Sequence, residues 1–176
     1  MEVVTFGFNS IFEYMNPDSL NFKANPKAWS IGEILEHIIL VNESYYPIFE
    51  KVRDREFDPP FLSRFEFLVD LYGRMILKSV EPERKKKVKT LRIWKPSQSY
   101  IPFKIMDRFF SSQMELNKYL ESVESFAEEE LVIHSPANKN VVYQLDVAFD
   151  IIVAHEQRHL NQAKEVLESL KAQLKD

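Results

Sequence analysis

From residue 30 onward the apolar positions Ile31, Ile34, Ile38, Val41, Tyr45, Ile48 and Val52 advance by alternating steps of three and four. That period marks one face of a helix and predicts a seam that packs inside a helical bundle. Ser30 is a good N-cap and Glu33 stands three residues on, the capping-box spacing. Pro47 falls within the seam and removes a backbone hydrogen bond, so a kink is expected there, with the helix continuing through Val52. An earlier helix is predicted over residues 3–15, ending near Asn16-Pro17, because the residue before proline is pushed out of the helical region. Residues 17–29 read as a polar loop.

After the Asp58-Pro59-Pro60 break, residues 62–80 read as helical, with Leu62, Phe65, Leu68, Val69, Tyr72, Met75 and Ile76 as the apolar positions. Pro82, Pro96 and Pro102 bracket a connection too long for a tight turn, which is expected to cross the end of the bundle. Residues 103–127 form a further helix carrying Ile105, Phe109, Leu116, Leu120, Val123 and Ala127. HSPANKN reads as a loop, and the last helix runs from about Val142 to Leu170. The pattern predicts an all-α bundle of three to five helices with one long crossover, in a single domain spanning residues 1–176.

Composition narrows the chemistry. The chain of 176 residues has no cysteine, which excludes disulfides, thiolate metal sites and cysteine nucleophiles. Its three glycines, Gly7, Gly32 and Gly73, stand far apart, so no glycine-rich phosphate loop exists. A net charge of −4 argues against a dedicated nucleic-acid binder. With no long apolar run and no signal-like start, a cytoplasmic protein without a membrane partner is expected. Seven of the twelve residues from Arg84 to Lys95 are Lys or Arg. Glu81 and Glu83 flank them, and a solvated loop is the expectation.

Four histidines remain: His37, His134, His155 and His159. His155 and His159 are four apart, so on a helix both imidazoles point the same way, about 40° apart. That is the spacing of two ligands to one ion. The apolar run VAFDIIVA precedes them and implies burial. Ala148, two turns earlier on the same stripe, would leave space beside the site. His37 lies at the margin of the apolar seam. Three imidazoles from two helices would leave a coordination position open, as catalytic sites do. Asp150, Glu33 and Gln162 are candidates to hold the outer ring nitrogens, with Glu33 already committed to the capping box. His134 reads as a loop histidine, with a fourth-ligand or acid–base role as the other reading. HEQRH also fits the zinc-peptidase pattern with Glu156 as base, but Gln162 and Glu165 stand where that pattern's extended form has glycine and histidine.

WSIGEILEHIILVNESYY together with HEQRHLNQ resembles the DinB/YfiT-like superfamily. The anchors are Trp29-Ser30, His37, the histidine pair and Gln162; HSPANKN and KKKVKTLRIWKPSQ are also similar, in order along the whole chain. The resemblance implies an antiparallel four-helix bundle in up-down-down-up order, with the long crossover between helices 2/3 and 4. It implies a divalent ion (zinc, nickel or iron) on His37, His155 and His159, and a homodimer. It also implies a metal-dependent enzyme acting on a small molecule, as a transferase of low-molecular-weight thiols such as bacillithiol or mycothiol, or as a hydrolase or isomerase. DNA chemistry is not implied. The alternative is a non-catalytic metal-binding protein or sensor, with Phe103, Phe109 and Phe110 as candidates for a dimer face.

Overall fold

The computed structural model describes residues 2–12, 14–83 and 89–175. Six helices follow in order: α1 (Glu2–Phe12), α2 (Pro17–Asn21), α3 (Ile31–Arg53), α4 (Glu66–Val80), α5 (Ile105–Glu128) and α6 (Leu145–Gln173). A two-stranded antiparallel sheet, β1 (Val132–Ser135) and β2 (Asn138–Gln144), joins α5 to α6. The chain is therefore mostly helical but not purely so. No helix among the described residues is long and apolar enough to cross a membrane.

The α3 start follows the capping box. Ser30 Oγ accepts from the Glu33 backbone N–H at 3.2 Å, and Glu33 Oε2 accepts from the Ser30 N–H at 2.8 Å. All seven seam residues of α3 are buried, and the helix runs through Pro47 without a break. The expected loop over 17–29 contains α2 instead. Asn16 caps it and Pro17 occupies its first turn, with Ser19 closing a capping box usually completed by Glu or Gln. The expected loop HSPANKN is the hairpin: Ser135 pairs with Asn138, leaving Pro136 and Ala137 as the turn. That turn lacks the Asn-Gly signature of tight hairpins. With so few glycines, α3 and α5 end on Arg55 and Glu130 in the left-handed region, at φ 58° and 55°. Six-to-one bonds from Glu56 N–H to Lys51 O and from Leu131 N–H to Phe126 O complete both ends.

Two apolar clusters fill the interior. One gathers α1, α2, the first half of α3, the start of α5 and the second half of α6, around Phe8, Leu20, Ile38, Phe109 and Leu160. The other gathers the second halves of α3 and α5, the hairpin and the start of α6, around Tyr45, Phe49, Leu116, Tyr143 and Ile152. Where they meet, buried positions turn polar: His37 and Asn42 on α3, Ser112 and Gln113 on α5, His155, Glu156 and His159 on α6. Helix α4 packs on α6 and β2, and Gly73 is its closest approach, with Val147 and Tyr143 beside the position a Cβ would take. Two of its expected core residues, Phe65 and Met75, are exposed by 39% and 50%.

The crossover between α4 and α5 is a strap fastened to α3. Its described part contains a single 3-10 turn, Arg92–Trp94. The Ser97 N–H and hydroxyl donate to the two carboxylate oxygens of Glu36 at 2.9 and 2.7 Å. The Asn21 side-chain amide exchanges two bonds with the Ile101 backbone, at 3.0 and 2.7 Å. Trp94 Nε1 donates to Ser44 Oγ at 3.2 Å. Gly32 lets the strap lie close, because a Cβ there would sit 2.9 Å from Ile101 Cβ. Arg84 to Val88 of the basic segment lie outside the described residues, while Lys89, Arg92 and Lys95 are exposed. Gly32→Ala tests this seat. Overpacking costs about 1–3 kcal/mol against a helix-propensity gain of about 1 kcal/mol. Urea denaturation is expected to show a net loss, and a gain would contradict the close approach.

Candidate metal centre

Helix α3 brings His37, and α6 brings His155 and His159, to the polar waist. The three imidazoles are 4%, 8% and 8% exposed. His37 Nε2 lies 3.1 Å from His155 Nε2, and the ligand atoms of all three lie within 4.8 Å of one another. Ring centroids are 4.5–5.0 Å apart. The 118 residues separating His37 from His155 are thus closed to contact by the packing of α3 on α6.

The outer nitrogens fix the ring tautomers. His37 Nδ1 is 2.7 Å from the Trp94 carbonyl oxygen, which only accepts, so Nδ1 carries the proton. His159 Nδ1 is 2.9 Å from Gln162 Oε1 and donates to it in the same way. In the neutral rings both Nε2 lone pairs then face inward. His155 Nδ1 is buried without a partner. Three neutral imidazoles so arranged have at most one N–H, from His155, to place among three inward nitrogens. Three neutral imidazoles are a donor set suited to a divalent ion, and the His37–His155 pair already has the spacing of two bound nitrogens, which at about 2.0–2.1 Å from an ion sit roughly 2.9–3.4 Å apart between octahedral and tetrahedral angles.

Burial keeps these rings neutral. Desolvation lowers the pKa of His37, against the Trp94 carbonyl, which raises it. His155 is held well below its ordinary value by desolvation, then by His159, His37 and Arg158. His159 falls to about 3, through desolvation and then His37. Neutral imidazole is the form that binds metal. Trp29 covers one side, its ring centroid 4.9 Å from that of His37 and stacked 6.3 Å from that of His159.

Glu156 does not join the imidazoles. Its Oε1 accepts from Asn42 Nδ2 and Gln113 Nε2, each at 2.7 Å, in the fully buried waist. Burial raises its pKa, and the bonds from Gln113 and Asn42 oppose that. The peptidase reading thereby loses its base. His134 lies on β1 beside Phe57, its Nδ1 3.0 Å from the Ser135 carbonyl, outside the cluster. Asp150 is exposed, and Glu33 is held by Ser30 and Lys23, so of the three expected partners Gln162 alone holds a ring nitrogen. Ala148 is fully buried in the second apolar cluster. Phe109 is core, whereas Phe103 is partly exposed. The Trp94 carbonyl was not expected, because a backbone acceptor leaves no residue-type signal, and the Glu36–Ser97 clamp was not expected either, because its partners stand 61 residues apart.

A family model described as the DinB superfamily matches residues 7–163. Neither the curated proteins nor the solved structures yield a match. With that match over most of its length, the chain belongs to the DinB superfamily, and its buried three-histidine cluster is compatible with a metal site.

Proposed function

We propose that the protein is a metal-dependent enzyme whose His37, His155 and His159 hold one divalent ion (zinc, nickel or iron), and that it transfers a low-molecular-weight thiol to a small electrophile or hydrolyses a small molecule. The observation that carries this reading is the convergence of inward Nε2 atoms whose Nδ1 partners, Trp94 and Gln162, point them at a common centre. In the same reading α1, α3, α5 and α6 are the antiparallel four-helix bundle, with α4 and the hairpin added to it.

A divalent ion bound there would lower the pKa of a water or a thiol toward neutrality. The residues of the chain do the rest. Three protein ligands leave a further coordination position for substrate. The buried rings stay neutral, so protons do not compete for the lone pairs. Trp29 shields one side from water and offers an aromatic face. With no cysteine in the chain, any attacking thiol comes with the substrate. The second reading, a metal-binding protein without catalysis, is favoured by the small exposure of the three rings.

Zinc or nickel at about 100-fold above Kd is expected to stabilise the protein by about 2.7 kcal/mol, roughly 5–10 °C in Tm for a chain of this size. His37→Ala is expected to abolish that rise, and a rise retained in the variant would show the ligands misassigned. Metal-loaded and metal-free protein are then compared on a panel of thiol–electrophile pairs and activated esters. Metal-dependent turnover supports the enzyme; metal-dependent melting with no turnover supports the second reading.

The pH dependence of the metal-free protein has a definite sign. Unfolded histidine titrates near 6.5, whereas folded His159 sits at about 3, so the unfolded chain takes up protons first as pH falls. This contribution to stability is present above about pH 6.5 and is lost progressively toward about pH 3. His159→Gln is expected to lose less stability than the parent between roughly pH 7 and 5 in urea titrations. Equal slopes would show that the ring is not held neutral.

A further inference from the structure

Trp29 stands on a loop whose two ends are held by one side chain. Residues 22–30 join α2 to α3 without helix or strand. Glu33 ties the ends together: Lys23 Nζ donates to its Oε1 at 2.8 Å, and the Ser30 N–H donates to its Oε2 at 2.8 Å. Between these anchors residues 24–27 are exposed. Among the described residues, the hydrogen bonds of this stretch stay inside it. The Lys27 N–H donates to Asn25 Oδ1 at 3.0 Å, and the Ala28 N–H to the Asn25 carbonyl at 2.9 Å. The result is a self-contained loop with its ends together. What lays it on the body of the protein is the indole of Trp29, tilted against His37 and stacked at 22° on His159.

Two segments outside the helices cover the imidazoles, and they are fastened differently. The strap is bonded to the body through Glu36, Ser44 and Asn21. The Trp29 loop rests on ring contacts between its two anchors. Segments with few bonds to the core and exposed backbone open locally at the least cost. The three imidazoles are no more than 8% exposed, while Trp29 is half-buried, so the indole lies between the rings and solvent.

We propose that Trp29 is the gate of the histidine cluster: the loop of residues 23–30 swings on its anchors at Glu33, and a ligand reaches the rings where the indole now lies. Trp29 is then the side chain that the non-reacting part of a substrate meets, and its face suits a planar or apolar group. Lys23 and Glu33 position the loop. Gating reconciles an open coordination position with rings so little exposed. Its use rests on the metal reading, but the motion belongs to the metal-free chain as well.

Diethyl pyrocarbonate acylates neutral imidazole, and peptide mass spectrometry follows each histidine separately in the metal-free protein. In the parent, His37 and His159 are expected to react about tenfold or more slowly than His134, in proportion to the time the loop is open. Trp29→Ala is expected to bring both close to the rate of His134. Lys23→Met leaves the indole and the capping box in place. It is expected to raise both rates about fivefold through loss of one charge-assisted bond, with His134 and the circular dichroism unchanged, and Lys23→Arg to restore the slow rates. Equal rates for His37, His159 and His134 in the parent, or rates in Lys23→Met equal to the parent's, would overturn the gate. Cobalt(II) uptake, read by its visible absorption, separates the gate from the metal reading. A parent protein that takes up no cobalt would sink the metal site, and the gate then stands or falls on the acylation rates. If cobalt binds, 2-mercaptoethanol is expected to add to it faster in Lys23→Met than in the parent, and equal rates would overturn the gate.

Discussion

A layer of polar side chains crosses the helices between two apolar clusters, and its hydrogen bonds set how α3, α5 and α6 meet. Asn42 and Gln113 both donate to Glu156, and His37 touches His155. Each buried polar group left without a partner costs about 1–3 kcal/mol. Sliding α6 by one turn against its neighbours breaks all three contacts at once, whereas the flanking Ile, Leu and Phe positions would tolerate other registers with smaller losses. The waist thus selects one arrangement from several that the apolar seams alone allow. That arrangement also brings the imidazoles together. Position of the cluster and specificity of the fold come from the same layer.

The strap adds the second level of control. His37 is oriented by a carbonyl 57 residues later in the chain, and that carbonyl is placed by Glu36, Ser44 and Asn21 acting on Ser97, Trp94 and Ile101. Glu36 is the residue before His37, so one turn of α3 supplies both the imidazole and the clamp that holds its outer partner. Such an arrangement fixes a ring tautomer without a second titratable group, as buried metal-ligating histidines require. His159 reaches the same end locally, through Gln162 one turn along α6.

The seam of α3, its Ser30–Glu33 cap and the i, i+4 histidine pair were legible in the sequence, because each is a local pattern with one structural meaning. Their convergence with His37 was legible through the bundle expectation and the family resemblance. The hairpin was not: Pro136-Ala137 lacks the turn signature of tight hairpins, β1 is only four residues long, and Val141 and Val142 run straight into the apolar pattern of α6. Helix α2 was hidden by a short capping box built from Asn16 and Ser19. For α4 the periodicity was right and the inference from it too simple, since apolar spacing marks a face without saying which apolar face meets the core. Trp94 was visible only as a tryptophan, while its role belongs to its backbone.

Metal content decides whether the converging nitrogens are a binding site. The purified protein, incubated with excess zinc or nickel, dialysed and analysed by elemental mass spectrometry, is expected to retain about one ion per chain, and His155→Ala next to none. Retention of no ion by the parent protein, or of a full ion by the variant, would contradict a site built on these three imidazoles.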